Sequence, residues 1–146
     1  MDHETNVKQT VPFFNVTEIE KSVRFYVDGL GFRKTKEWTP EGKLRWCWLE
    51  LGQTAVMLQE YAKEGHGGRR PEGALGQGVA ISFQCEDALK LYREFISRGV
   101  QASRPFVGNN MWVTSVTDPD GYRLEFESLT DAPEESVYSE NDPMPG

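Results

Sequence analysis

Histidine, the usual general base and metal ligand, is scarce in this 146-residue chain. The two histidines are His3, near the start, and His66, in a glycine-rich stretch. A histidine base or an imidazole ligand would therefore have to come from a mobile segment. Two carboxylates held close together could act as acid and base without a metal, but their separation stays open. Possible oxygen donors in predicted strands are Asn15, Gln59, Glu60 and Glu127, in addition to Glu125.

Aromatic side chains are the second group of residues that could bind a ligand. Alternation along a predicted strand puts Trp46 and Trp48 on one face, with Arg45 and Cys47 on the other. Large rings on a curved sheet can stack on planar ligands, and a cationic ligand gains from the ring faces. The same rings could instead fill the core or a subunit interface. Trp112, which follows Gly108-Asn109-Asn110, is expected at the mouth of a cleft.

The elements that must position these residues occur twice. A strand, a helix ending in Leu30-Gly31-Phe32 and three further strands are followed by the same order from about Val79. The helix-to-strand glycines Gly31 and Gly99 are 68 residues apart. This spacing predicts an α+β fold of two tandem βαβββ modules. Since one module is too small to cover its own sheet, the two should pair as curved half-barrels around a cleft.

The module boundaries follow from turn residues and breaks in the pattern. Glycines, Pro40 and the pair Gly52-Gln53 separate the predicted strands, and Thr17 with Glu20 forms a capping-box signature before the first helix. The predicted strands are 11–16, 33–38, 44–51, 54–60, 79–85, a segment near Val100, 111–117 and 122–127; the helices run to about Asp28 and over 86–98. Module one then spans about 11–61, a hinge 62–77 and module two about 78–128.

The hinge and both ends lack periodic patterns. The hinge segment 64–71 superficially resembles a phosphate loop, but no helix opens after its glycines, which favours a flexible connection. Arg69 and Arg70 could still reach a ligand. Residues 1–10 are expected to be flexible, and the acidic, proline-containing tail 129–146 is expected to be disordered or strapped over the surface.

Composition excludes several classes of protein. The formal charge of −7 argues against a nucleic-acid binder. Five of the 23 acidic residues lie in the tail, so much of the negative charge is peripheral. No apolar run is long enough for a membrane span, and the polar start lacks the apolar run of a signal peptide, so we expect a cytoplasmic protein. Cys47 and Cys85, in predicted strands, suit reduced thiols better than a disulfide.

Two motifs carry a resemblance to a known family. The segment Glu18-Ile19-Glu20-Lys21-Ser22-Val23-Arg24-Phe25-Tyr26 with Leu30-Gly31-Phe32 resembles the opening helix of the vicinal oxygen chelate superfamily. The segment Asp118-Pro119-Asp120-Gly121-Tyr122-Arg123-Leu124-Glu125 resembles its closing hairpin. The superfamily includes glyoxalase I, bleomycin-resistance proteins, fosfomycin-resistance enzymes and extradiol dioxygenases. The resemblance covers about residues 11 to 128.

The resemblance implies that the usual metal site is missing. Metal-using members take ligands from the first and last strand of each module, usually His and Glu. Here those positions fall at Val11, at Gly78 or Val79, between Val56 and Leu58, and at Glu125. Only Glu125 is an oxygen donor, whereas a catalytic divalent ion generally takes three or more protein ligands. We therefore expect no metal cofactor, although an atypical site using Glu60 with Glu125 stays open.

Two functions are compatible with these observations. The first is a homodimer that binds or sequesters a planar small molecule without metal, as the bleomycin-resistance branch does; the dimer is expected from the family and from exposed strand edges. The alternative is a glyoxalase-like lyase or a dioxygenase with an atypical divalent-metal site. The predicted ligand-binding residues are Phe13, Asn15, Trp46, Trp48, Leu58, Glu60, Trp112 and Glu125.

Overall fold

The chain folds as two modules of one plan, in which a helix lies across a four-stranded sheet. The computed structural model describes residues 6–62 and 68–139. The sheets have the strand orders β1-β4-β3-β2 and β5-β8-β7-β6, which confirms the two predicted βαβββ modules. The strands are β1 Phe13–Val16, β2 Arg33–Trp38, β3 Trp46–Leu51, β4 Thr54–Glu60, β5 Ala80–Gln84, β6 Phe106–Gly108, β7 Met111–Thr117 and β8 Arg123–Leu129; the helices are α1 Ile19–Arg24, continued by a π-helical turn Phe25–Gly29, and α2 Ala88–Ser97.

The two modules match position by position. In module one Phe14 pairs with Leu58 across the parallel strands β1 and β4, and in module two Phe83 pairs with Phe126 across β5 and β8. Each helix is followed by a glycine with positive φ, Gly31 at 95° and Gly99 at 83°, a conformation that glycine adopts without steric cost. The predicted internal repeat is therefore a repeat of structure.

The helix N-termini are capped from the last strand of each module. The Ile19 N–H donates to Glu60 Oε2 (3.0 Å), and the Ala88 N–H donates to Ser128 Oγ (2.8 Å). These bonds satisfy backbone donors that have no partner within the helix. The predicted capping box is wrong, because α1 begins at Ile19 and its N-cap Glu18 makes no side-chain capping bond.

Each sheet turns one face toward its helix. Strand alternation sends Cys47 and Leu49 of β3, and Leu124 and Phe126 of β8, into the core, where each is at most 1% exposed. Rings connect the two halves: Phe32 lies edge-on to Phe83 at a centroid distance of 6.1 Å. The helix-facing residues of both modules thus form one continuous hydrophobic core.

Polar contacts close the seam between the modules. The buried Tyr26 hydroxyl donates to Asp118 Oδ2 (2.9 Å), and the Thr17 N–H donates to Asp120 Oδ1 (3.1 Å). A Cβ on Gly29 would lie 2.7 Å from Val100 Cγ2, so a larger residue there would force one of the two modules or the Val100 side chain to shift. Burial raises the pKa of Asp118, although N–H and O–H donors, including Tyr26, oppose the shift.

The strand predicted near Val100 differs from the structure. Val100 belongs to the core, not to a strand, and β6 begins at Phe106. The tail as far as Ser139 packs against module two: Tyr138 is 3% exposed, and its N–H donates to the Pro105 carbonyl (2.9 Å). Residues 140–146 of the tail, like 1–5 and 63–67 of the predicted hinge, lie outside the described residues.

Both cysteines are free thiols, and burial raises the pKa of Cys47 to about 11. Within residues 6–62 and 68–139, no helix has the length and apolar character needed to cross a lipid bilayer.

Removing the hydroxyl of Tyr26 tests the seam. Tyr26→Phe should lower the free energy of unfolding by about 1–2 kcal/mol, because it deletes a buried hydrogen bond to a carboxylate. A double-mutant cycle with Asp118→Asn, followed by urea denaturation, should give a coupling free energy of at least about 0.5 kcal/mol. Strictly additive effects of the two substitutions would show that the bond does not couple the modules.

Candidate functional site

The sheet faces that point away from the helices differ in chemistry. Module one presents rings and amides, here called the aromatic face: Phe13, Asn15, Trp38, Trp46, Trp48, Met57 and Gln59. Module two presents hydroxyl, amide and carboxylate groups at the corresponding places, here called the polar face: Ser82, Gln84, Ser115, Glu125 and Glu127. Ser82 and Gln84 are exposed, and the other polar-face residues are half-buried.

The aromatic face is ordered by strand pairing. One row across β1, β4, β3 and β2 reads Asn15, Gln59, Trp46, Trp38. Residues directly opposite on neighbouring strands have Cβ atoms about 4.5–5.5 Å apart, so the two indoles lie beside each other, Gln59 lies beside Trp46, and Asn15 lies beside Gln59. Trp38, at one end of the row, is 47% exposed, while Trp46 and Asn15 are half-buried. This row can offer a flat surface flanked by hydrogen-bonding groups.

The second row fixes Trp48 in place. It reads Phe13, Met57, Trp48, Lys36. The indole Nε1–H of Trp48 donates to Glu50 Oε2 (2.9 Å), and Lys36 Nζ lies 4.9 Å from the ring centroid. The lysine therefore already occupies a cation–π position on Trp48. A ligand ring that stacks on this indole would have to displace the lysine.

The polar face is a connected hydrogen-bond network. The Ser82 hydroxyl and the Gln84 amide both donate to Glu127 Oε1, the latter at 3.2 Å, and Gln84 Nε2 also donates to Ser82 Oγ (2.9 Å). Glu125 lies beside this network, and its Oε2 is 3.7 Å from an Arg123 nitrogen. The Glu125 side chain is 24% exposed, so one of its oxygens can meet solvent or a ligand.

The structure brings together some of the predicted site residues and separates others. Phe13, Asn15, Trp46 and Trp48 share the aromatic face, and Glu125 is on the polar face. Leu58 points to the helix side and is fully buried. Trp112 also points to the helix side, where it lies edge-on to Tyr138 at 6.3 Å, because the alternation of β7 sends Val113 and Ser115 to the open face.

Glu60 lies with neither face. It caps α1 through the Ile19 N–H, and its Oε1 accepts hydrogen bonds from Lys43 (2.5 Å) and Arg45 (3.2 Å). Burial alone would raise its pKa, but the Lys43 bond, the Ile19 N–H and the two positive charges together lower the pKa below its usual value. Glu60 is therefore a structural anion on the helix side and does not approach Glu125.

The donor set does not fit a catalytic divalent metal ion. The strand pairing places Met57 where module two has Glu125, since Met57 pairs with Phe13 and Glu125 with Ser82. A thioether and one carboxylate are a poor pair for a hard divalent ion. Among the residues that the structure describes, no three His, Cys, Asp or Glu side chains lie close enough together to hold a metal ion.

Trp38, Met57 and Gln59 belong to the aromatic face but were not among the predicted site residues. A signal for two of them is present in the sequence. The two-residue turn Gly52-Gln53 fixes the hairpin register and so places Met57 opposite Trp48 and Gln59 opposite Trp46. The same register places Leu58 opposite the buried Cys47.

Comparisons with known proteins identify relatives of this fold. The model of the Glyoxalase/Bleomycin resistance protein/Dioxygenase superfamily matches residues 7–126. No curated protein sequence matches the chain.

Several solved structures share the architecture at low identity. TioX from Micromonospora sp. ML1 is 18% identical over 84% of this chain and 99% of that one, with a TM-score of 0.67. TnmS3, an antibiotic binding protein from Streptomyces sp. CB03234, is 17% identical over 87% and 100%, with a TM-score of 0.64. A lactoylglutathione lyase from Agrobacterium tumefaciens is 15% identical over 85% and 96%, with a TM-score of 0.62. At these identities the likeness shows the fold.

Replacement of Glu60 tests its capping role. Glu60→Gln should lower the free energy of unfolding at pH 7 by about 1 kcal/mol, because the side chain caps α1 and pairs with two cations. Since the folded-state pKa of Glu60 is lowered, its charge stabilises the fold above the unfolded-state pKa. That contribution is lost as pH falls through the folded-state pKa.

The stability difference between wild type and Glu60→Gln should therefore shrink toward acid pH in chemical denaturation. A difference that stays constant from neutral pH to about pH 3 would contradict an ionic contribution. Glu50→Gln, which removes a carboxylate on the open face of β3, is the matched control for the same substitution away from α1.

Proposed function

Because the chain belongs to the glyoxalase/bleomycin resistance protein/dioxygenase superfamily, we propose that it binds a planar small molecule on the aromatic face without a metal ion. The observation that carries this proposal is the row Asn15, Gln59, Trp46, Trp38. Its two indoles supply stacking surface, and its two amides can hydrogen-bond to the edge of a stacked ring. Small-molecule sites typically combine such apolar area with a few polar groups.

The polar face supports a preference for cationic ligands. Glu125 and Glu127 lie on neighbouring positions of one face of β8, and both are half-buried. Ring faces and carboxylates both attract positive charge, and partial burial strengthens the attraction. A planar cation would therefore be held by stacking on one wall and by charge on the other.

We propose that a homodimer brings the two walls together, with the aromatic face of one chain against the polar face of its partner. The open faces carry more exposed apolar surface than a solvated sheet needs: Phe13, Trp38 and Phe106 are each between 38% and 47% exposed. Covering these side chains would bury that surface and enclose a ligand.

One relative fits a binding role for this chain: TnmS3, an antibiotic binding protein, shares the fold over 87% of the chain. The Agrobacterium protein of the same fold is a lyase. Fold likeness alone does not fix function, so the proposal rests on the aromatic face. We further propose that the protein acts in the cytoplasm and has no nucleic-acid partner, in keeping with its negative charge.

Calorimetric titration with proflavine, a planar cation, tests the binding function. Protein treated with EDTA should bind the dye, and Trp46→Ala should weaken the affinity about tenfold or more, because stacking on one ring contributes about 1–3 kcal/mol. Trp112→Phe is the matched control: it also removes an indole, but from the helix side, and should leave the affinity within about twofold. Equal losses in both variants would contradict the assignment of the aromatic face.

Glu125→Gln separates binding from metal-dependent catalysis. The variant should weaken proflavine binding about threefold to tenfold at low salt, and less at high salt, because it removes a partly exposed charge. Metal analysis of the wild type and of Glu125→Gln tests the metal-dependent alternative. Stoichiometric Zn, Ni, Mn or Fe in the wild type that is lost in Glu125→Gln would overturn the metal-free proposal and favour a lyase or dioxygenase.

Light scattering tests the dimer. The chain should have twice its 16.6 kDa mass at micromolar concentration, and Trp38→Glu should shift it toward the monomer, because a charge would be placed in the proposed interface. A monomeric wild type at that concentration would remove the dimer from the proposal.

A further inference from the structure

A cavity of about 440 Å³ lies at the seam between the modules, apart from the aromatic face. It opens between the β3–β4 turn of module one and the end of β5 in module two. Apolar side chains, among them Phe83 and Phe126, line part of it, and the other lining residues include Thr54 and Cys85. The cavity borders the polar face at Ser82 and Gln84. Its volume exceeds that of an apolar cavity of about 150 Å³ that holds benzene in another protein.

The internal repeat gives this cavity a counterpart that is filled. At the matching place on the other side of the seam, the ring of Tyr122 stacks on Phe14, with centroids 4.5 Å apart and planes 23° apart. The Tyr122 hydroxyl donates to the Asn15 carbonyl (2.7 Å), which lies on the free edge of β1. A phenol ring therefore occupies the counterpart site, where stacking on Phe14, the hydrogen bond to the Asn15 carbonyl and a side-chain interaction with Tyr61 hold it.

Strand pairing identifies the matching residues. Phe14 and Asn15 pair with Leu58 and Gln59, and in the same way Phe83 and Gln84 pair with Phe126 and Glu127.

The closing turns match as well. At the β3–β4 turn of module one, Thr54 pairs with Leu51. At the β7–β8 turn of module two, the Asp118 N–H donates to the Tyr122 carbonyl, so Tyr122 holds the position that Thr54 has in module one. Thr54 thus replaces Tyr122 and carries no ring, and the cavity lies beside Phe83, whose ring stacks on Phe126 (centroids 5.0 Å apart) and is 7% exposed.

The chemistry of the lining selects an uncharged guest. None of the ten lining residues carries a charged side chain, and burial raises the pKa of Cys85, so its thiol is neutral at neutral pH. Gln84 supplies the carbonyl that corresponds to that of Asn15, on β5, which is an edge strand of its sheet. An unpaired carbonyl is an acceptor for a hydroxyl donor.

We propose that this seam cavity is a second small-molecule site that takes a neutral phenolic ring, bound as Tyr122 is bound in the counterpart site. The ring packs over Phe83, and its hydroxyl donates to the Gln84 carbonyl. Because Leu51 and Thr54 come from module one and Phe83 and Gln84 from module two, the guest bridges the modules and stabilises their arrangement.

Titration of the full chain with p-cresol, which is the tyrosine side chain as a free molecule, tests the site. In ¹H–¹⁵N spectra the saturable shifts should centre on the backbone amides of Thr54, Gln84 and Cys85, with a dissociation constant on the order of 1 mM. Thr54→Tyr, which supplies the missing ring covalently, should weaken p-cresol binding at least tenfold. Thr54→Val, which keeps the β-branched shape of threonine and adds no ring, should leave it within about twofold.

Two further ligands test the site on the wild-type protein, without any substitution. Toluene lacks the hydroxyl and should bind about fivefold to tenfold more weakly than p-cresol, since it loses one hydrogen bond. The anion p-hydroxybenzoate should bind more weakly still, because the lining offers no cation. Absence of saturable p-cresol binding, shifts centred on Trp46 and Trp48, or equal affinity for all three probes would overturn the proposal. None of these results depends on the outcome of the proflavine titration at Trp46 and Trp112.

Discussion

Within the described residues, a helix covers one side of each sheet and leaves the other side open. This one-sided burial decides which strand residues form the core and which can meet a ligand. Since successive strand residues point to opposite faces, every second residue must be apolar for the core, and the others are free to carry chemistry. In β3 the buried Cys47 and Leu49 therefore alternate with the half-buried Trp46 and Trp48. The aromatic face is what one-sided burial leaves available for a ligand.

Duplication supplies two copies of that arrangement, and their side chains have diverged. Where module one has Trp48 opposite Met57, module two has Ser115 opposite Glu125, so the same backbone presents rings on one side and a carboxylate on the other. The sheet faces that meet the helices have kept a common function in the two modules: Glu60 caps α1 and Ser128 caps α2. Differences at matching places, such as Thr54 against Tyr122, show where the molecule can accept a guest in place of its own side chain.

The fold was predictable because turn residues and the repeat are local signals. The bounds of β2, β4 and β7 agree with the predicted strands, and the turn Gly52-Gln53 fixes the register of the hairpin. Contacts over long sequence distances were not predictable. The capping role of Glu60 depends on α1 lying against the end of β4, which the sequence around Glu60 does not indicate. Tyr138 is buried although it belongs to an acidic, proline-containing tail, because backbone hydrogen bonds hold that tail on module two. Trp112 was misplaced since alternation alone does not say which face of a strand meets the helix.

The central claim is that flat ligands bind the open face of module one without a metal ion. The indole N–H resonances of the four tryptophans, recorded with proflavine in the presence of EDTA, test it most directly. The account predicts that the resonances of Trp38 and Trp46 shift with the dye while that of Trp112 stays in place. A shift confined to Trp112, or a response that appears only after a divalent metal is added, would contradict it.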